Sequence, residues 1–266
     1  MDGTIVMIHG MMGGSWCWDN YRGYFEGLGY KCTTPVLRFH HHGPGEKPDP
    51  RLATTGLLEY ASDLEMEIRK LNSPPIIMGH SMGGLLAQIL GSRIQAKALV
   101  LLTPAAPSGI IGINYSVLKS FSGLISSFKF WKKTFRISYQ GALYAMLHLT
   151  PGEDSKKIYE RLVYESGLVA YQIGFWFLDS ARASAVDHTK VHCPVLVIAG
   201  QEDRITPASI VNKIACKYAP NSTYKVFENH AHWVLGEPGW QEIAGYIDAW
   251  LKSALFNGNH FASGNS

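Results

Sequence analysis

The 266-residue chain carries 46% apolar and 17% charged residues with a net charge of +3, the composition of a globular protein rather than a disordered one. That charge is too small to argue for nucleic acid, and its one basic cluster, Lys129, Lys132, Lys133 and Arg136, is interleaved with aromatics and reads as a solvated helix face rather than a nucleic-acid or membrane surface. Four cysteines, Cys17, Cys32, Cys193 and Cys216, lack the C-x-x-C spacing of a zinc site or a disulfide scaffold, and no run approaches the ~18 continuous apolar residues of a membrane-spanning helix.

The chain enters an apolar run within five residues, with no basic start and long apolar stretch, so no signal peptide is expected and the expected location is cytoplasmic. Ile5 to Ile8 is a β-branched run ending in His9-Gly10, and Lys31 to Leu37 is a second strand pattern. From Leu57 to Leu71 apolar residues recur at 57, 61, 64, 68 and 71, which predicts an amphipathic helix. Pro74-Pro75 stops it, and Ile76-Ile77-Met78 is too short and apolar to be anything but a buried strand. A helix follows through Leu85, Leu86, Ile89 and Leu90, then buried strands at Ala98 to Leu102 and Val195 to Ala199. Thr223 to Phe227 is the last strand, and Trp240 to Leu251 a final amphipathic helix.

Strands alternating with helices predict an α/β fold, a mostly parallel sheet of about six strands with helices on both faces. The core is expected over residues 1–103 and 193–256. Residues 104–192 are strand-poor and rich in aromatics, which predicts an inserted helical cap, and residues 257–266 read as a disordered tail.

Gly79-His80-Ser81-Met82-Gly83 fits G-x-S-x-G between a buried strand and a helix, the context in which a nucleophilic serine sits on a sharp turn. Such a serine needs amides to receive the developing oxyanion. Met82, just after the nucleophile, and Met11, in the loop after the first strand, are the candidates. The acid of this chain order follows a late strand, which points to Asp203 in Gly200-Gln201-Glu202-Asp203-Arg204-Ile205-Thr206-Pro207, with Glu202 as the adjacent competitor. His230 and His232 compete for the general base after the last strand. His232, followed five residues later by Glu237 and then by Pro238, resembles the histidine pattern of the α/β-hydrolase family, and His230 does not. His40-His41-His42 and His230-x-His232 could in principle supply metal ligands, but consecutive side chains diverge and no carboxylate or cysteine completes a site, so no metal is expected.

Elbow, oxyanion loop, acid and histidine in this order resemble the α/β-hydrolase superfamily, from roughly Thr4 to Leu255. The opening through Ser15-Trp16-Cys17-Trp18 is similar to small esterases, plant methylesterases and hydroxynitrile lyases, and the segment from Gln201 onward to bacterial carboxylesterases. The loop His40 to Pro48 resembles the glycine-containing loop of the family. The resemblance implies a cofactor-free serine carboxylesterase or lipase acting on a small-molecule ester with an apolar or aromatic group through Ser81, His232 and Asp203. Trp16, Met12, Trp176 and Trp233 are the candidate substrate-binding side chains, and a monomer or homodimer without stable membrane insertion is expected. The same scaffold also supports hydroxynitrile-lyase-like or cofactor-free oxygenase chemistry, or a non-catalytic ligand receptor.

Overall fold

The computed structural model describes residues 3–43, 45–112 and 115–256, so the segment 257–266 read as a disordered tail, and Pro44 in the loop after the second strand, lie outside the described residues. The elements run in chain order as β1 (Thr4–Ile8), α1 (Asp19–Gly27), β2 (Lys31–Thr33), α2 (Leu57–Ile68), β3 (Ile76–His80), α3 (Met82–Gly91) and β4 (Ala98–Leu102). An inserted segment then holds α4 (Tyr115–Ser120), α5 (Ser122–Ile125), β5 (Thr134–Phe135), α6 (Tyr139–Ala145), α7 (Gly152–Arg161), β6 (Glu165–Ser166) and α8 (Gly167–Gly174). The core resumes with β7 (Val195–Gly200), α9 (Ala208–Lys217), β8 (Ser222–Phe227) and α10 (Trp240–Phe256).

Six strands form one parallel sheet in the order β2-β1-β3-β4-β7-β8. Its central strands read as unbroken apolar runs because both faces are covered. Alternate side chains separate cleanly. Val6, Ile8, Ile77, Leu99, Leu101, Val195 and Val197 pack with α2, α3 and α9 on one face. Ile5, Met7, Ile76, Met78, Val100, Leu196 and Ile198 pack with α1 and α10 on the other. No helix among the described residues is long and apolar enough to cross a membrane.

The predicted elements differ from the observed ones in three places. The strand expected over Lys31 to Leu37 pairs only through Thr33, since Pro35 offers no amide to a ladder. The helices α1 and α9 were not read from the sequence. In α1 two glycines mask the signal, yet Tyr21 and Phe25, one turn apart, are fully buried. The inserted segment, expected to be helical, also carries a short antiparallel pair, β5 with β6. The four cysteines are free thiols.

Candidate active site

Ser81 stands at the tip of the turn from β3 into α3 with φ 55° and ψ −121°, a conformation that costs a non-glycine residue about 1–3 kcal/mol and persists only where its surroundings enforce it. The flanking glycines are the enforcement. A Cβ on Gly83 would lie 2.0 Å from the Ile8 carbonyl oxygen, and one on Gly79 would lie 2.1 Å from that of Gly83. The first turn of α3 thus packs directly on the end of β1, and the loop after β1 is brought beside Ser81.

Asp203 follows β7 and His232 follows β8, so all three side chains meet at the carboxyl ends of the strands. The His232 Nε2 lies 2.9 Å from Ser81 Oγ, and its Nδ1 lies 2.8 Å from Asp203 Oδ2. Asp203 and His232 are buried while Ser81 is partly accessible. The carboxylate is fully occupied. Its Oδ1 accepts from the Ile205 amide at 2.7 Å and the Thr206 amide at 2.9 Å, and Oδ2 accepts from Thr206 Oγ1 at 2.7 Å. Burial pushes the Asp203 carboxyl up, but His232 and these donors outweigh it and hold it below the ordinary carboxylate value.

The competitors occupy other places. Glu202 is exposed and is adjacent to, not part of, the Asp203–His232–Ser81 line. His230 faces Glu237, with Nδ1 at 3.2 Å from Oε2. Glu237 also accepts from the Ala231 amide at 2.8 Å and the Trp233 amide at 3.0 Å, so it braces the loop on both sides of His232. His80 is held neutral, its pKa lowered to about 3 by burial and the neighbouring His232, and its Nε2 donates to the His232 carbonyl at 2.8 Å.

The Met82 amide sits at the first position of α3, where no intrahelical acceptor exists and the helix dipole favours negative charge. The Met11 amide lies in the tight turn closed by the Gly13 amide on the Gly10 carbonyl at 3.3 Å. Neither amide is spent on another acceptor among the described residues. His9 shapes this turn from beneath. Burial lowers its pKa to about 3, and the neutral ring donates through Nδ1 to the Gly10 carbonyl while Nε2 accepts from the Leu37 amide.

Ser81, Met11 and Met82 open onto a cleft of about 960 Å³, including the part open to solvent. Its walls are almost wholly apolar. Ala105, Ala106 and Ile110 line it after β4, Val117 and Phe121 come from the inserted segment, and Ile210 comes from α9. None of Trp16, Met12, Trp176 and Trp233 is on that wall. Trp233 is buried against His80 and Trp16, with ring centroids at 5.8 and 5.7 Å, behind the histidine loop. Trp176 packs edge-on to Phe177. Met12 is buried in the turn itself. Trp16, Trp176 and Trp233 pack against neighbouring rings instead, and the cleft is walled mainly by aliphatic side chains, with Phe121, Phe130 and Phe175 as its aromatic residues. Thr206 was not singled out as a site residue, although a hydroxyl three positions after an aspartate is the local signature of such a cap.

Of the consecutive histidines, His40 turns inward while His41 is exposed and His42 lies 3.8 Å from the exposed Glu46. Among the described residues no three His, Cys, Asp or Glu side chains gather as a metal site.

The chain is similar to a monoacylglycerol lipase of Mycolicibacterium smegmatis, 23% identical over 95% of this chain and 89% of that one. It is also similar to the non-heme chloroperoxidase CPO-A1 of Kitasatospora aureofaciens, 24% identical over 90% and 88%. Among solved structures, tomato methylketone synthase I complexed with 2-tridecanone superposes with a TM-score of 0.72 at 16% identity, covering 96% of this chain and 99% of that one. The profile of the alpha/beta hydrolase fold matches residues 3–238, which takes in β1, the serine turn, the inserted segment, Asp203 and His232. This chain therefore belongs to the α/β-hydrolase fold family.

Proposed function

We propose that the protein is a serine hydrolase cleaving carboxylic esters with an apolar acyl or alcohol group. The observation that carries this reading is the unbroken line Asp203–His232–Ser81 ending on an apolar cleft. His232 Nε2 takes the Ser81 proton as Oγ attacks the ester carbonyl, and Asp203 keeps the imidazole in the tautomer that has Nε2 free. The Met11 and Met82 amides receive the oxyanion. Collapse expels the alcohol with the proton returned by His232, leaving an acyl-enzyme, and His232 then activates water to release the acid. The cleft supplies apolar burial for the substrate chain and no charge to bind a polar one. The similarity to a monoacylglycerol lipase supports the same class of substrate.

The test is hydrolysis of p-nitrophenyl esters of increasing acyl length by the wild type and by Ser81→Ala. The mutant should lose about 10⁴-fold or more, the scale of removing a triad nucleophile. Absence of turnover and of acyl-enzyme burst in folded wild-type protein would reject ester hydrolysis in favour of the lyase, oxygenase or receptor readings.

A further inference from the structure

Glu165 lies in β6 of the inserted segment and is fully buried, yet the hydrolytic mechanism makes no use of it. Four donors converge on its carboxylate. The Ser166 amide and the Tyr60 hydroxyl, each at 2.8 Å, reach Oε1. His40 Nε2 at 3.0 Å and the Met12 amide at 3.3 Å reach Oε2. The other His40 nitrogen, Nδ1, faces the Arg38 carbonyl at 3.0 Å. Both nitrogens point at acceptors, so both carry protons and His40 is an imidazolium paired with a carboxylate. Its ring neighbour His9, 5.3 Å away between centroids, accepts at one nitrogen and stays neutral.

Met12 follows the oxyanion donor Met11 and has φ 60°, an unfavourable conformation for a methionine. Every polar atom of Met12 is bound by the inserted segment. Its amide donates to Glu165, its carbonyl accepts from the Val163 amide at 2.9 Å, and its Sδ accepts from the Ile137 amide at 3.4 Å. The core supplies the turn, and the inserted segment holds it in shape.

Resting on the proposed hydrolytic reading, we infer that Glu165 is a positioning residue: through the Met12 amide it holds the oxyanion loop in its working shape, so that seating of the inserted segment and completion of the site are one event.

Glu165→Gln tests this directly. Glutamine accepts at only one end, and the shorter Ser166 bond draws its oxygen to the Oε1 side. Its NH2 then faces His40, which can lose a proton and accept, and Met12, which cannot. Steady-state kinetics on p-nitrophenyl esters should show kcat about 10- to 100-fold lower with KM within about twofold, short of or equal to the loss of a whole oxyanion donor. Affinity for an alkyl boronic acid, whose adduct with Ser81 places an oxygen anion in the hole, should fall in parallel with kcat.

Hydrogen–deuterium exchange supplies a reading independent of turnover. In wild-type protein the Met12 and Val163 amides should exchange at one common slow rate, and in the variant Met12 should exchange at least about tenfold faster. Free exchange at Met12 in the wild type, with Val163 protected, overturns the inference even if Glu165→Gln fails to fold. A variant with a lowered melting temperature and unchanged kcat assigns Glu165 to stability alone and overturns it equally. Wild-type protein without ester turnover sinks the proposed activity, and the exchange rates then decide the fate of the Glu165 contact by themselves.

Discussion

Replacing Asp203 by asparagine isolates what the acid contributes. The Ile205 and Thr206 amides both donate to Oδ1, so the asparagine oxygen must occupy that position and its NH2 must take the place of Oδ2. There it meets Thr206 Oγ1, which can accept by turning its own proton to the Thr103 carbonyl at 3.0 Å, and His232 Nδ1. The imidazole is then forced to accept at Nδ1 and to carry its proton on Nε2, facing Ser81 Oγ. A base already protonated at that nitrogen cannot take the serine proton. The expected loss in kcat/KM is about 10⁴-fold, or ~5.4 kcal/mol of transition-state stabilisation, with every buried polar atom still partnered. The melting temperature should therefore change little, within about 1 kcal/mol of unfolding free energy. Paired measurement of p-nitrophenyl ester kinetics and thermal unfolding checks both halves. An Asp203→Asn protein within tenfold of wild-type activity would show that the carboxylate does not set the histidine tautomer, and the reasoning would fail.

Gly83→Ala places a Cβ 2.0 Å from the Ile8 carbonyl oxygen and 2.6 Å from that of His9, where backbone on both sides cannot yield. Calorimetry should show a loss of about 3 kcal/mol or more, roughly 6–12 °C in Tm, together with lost activity. Ala106→Trp fills the apolar cleft without touching the triad, so kcat/KM should fall at least about tenfold for long acyl esters while acetate esters are spared; equal loss for both would place the acyl chain elsewhere. The Glu165–His40 pair sets a pH window for stability. Burial opposes charge on both groups, but their mutual attraction and hydrogen bonds lower the Glu165 pKa and raise that of His40. The Glu165 contribution is present above its ordinary value of 4.5 and is lost as pH falls through its lower folded value. The His40 contribution is complete below 6.5 and is lost as pH rises through its higher folded value. The Tm difference between wild type and Glu165→Gln should thus be greatest between about pH 4.5 and 6.5 and narrow on both sides; a constant difference from pH 3 to 9 would exclude the ion pair.

The sheet was legible because a parallel strand buried on both faces has no choice of composition: Ile76-Ile77-Met78 and Ala98 to Leu102 could be nothing else. The serine turn was legible for a comparable reason, since Gly79 and Gly83 have backbone where a side chain would be. Position after late strands narrows the acid to Glu202 or Asp203 and the base to His230 or His232, and it is the resemblance to the α/β-hydrolase family that favours Asp203 and His232. The cleft was not legible. Among the aromatic residues of the inserted segment Phe121, Phe130 and Phe175 do line it, whereas Trp131 and Tyr171 pack on Phe130 and Trp176 on Phe177. The aliphatic residues that face Ser81 carry no mark distinguishing them from core. Glu165 gave even less warning. It is one carboxylate in an unremarkable run, and its partners Met12, His40 and Tyr60 lie more than a hundred residues away in the chain.

The pairing of β4 with β7 spans residues 103–194, so the middle of the sheet is joined only after the inserted segment has been made. A chain emerging from the ribosome therefore first offers β2, β1, β3 and β4, with β4 as a wholly apolar open edge of the kind that recruits other strands. That half carries Ser81 and the Met11 and Met82 amides proposed to receive the oxyanion, but neither Asp203 nor His232. The growing chain is sticky before it is reactive, and the arrival of β7 and β8 ends the first condition as it begins the second.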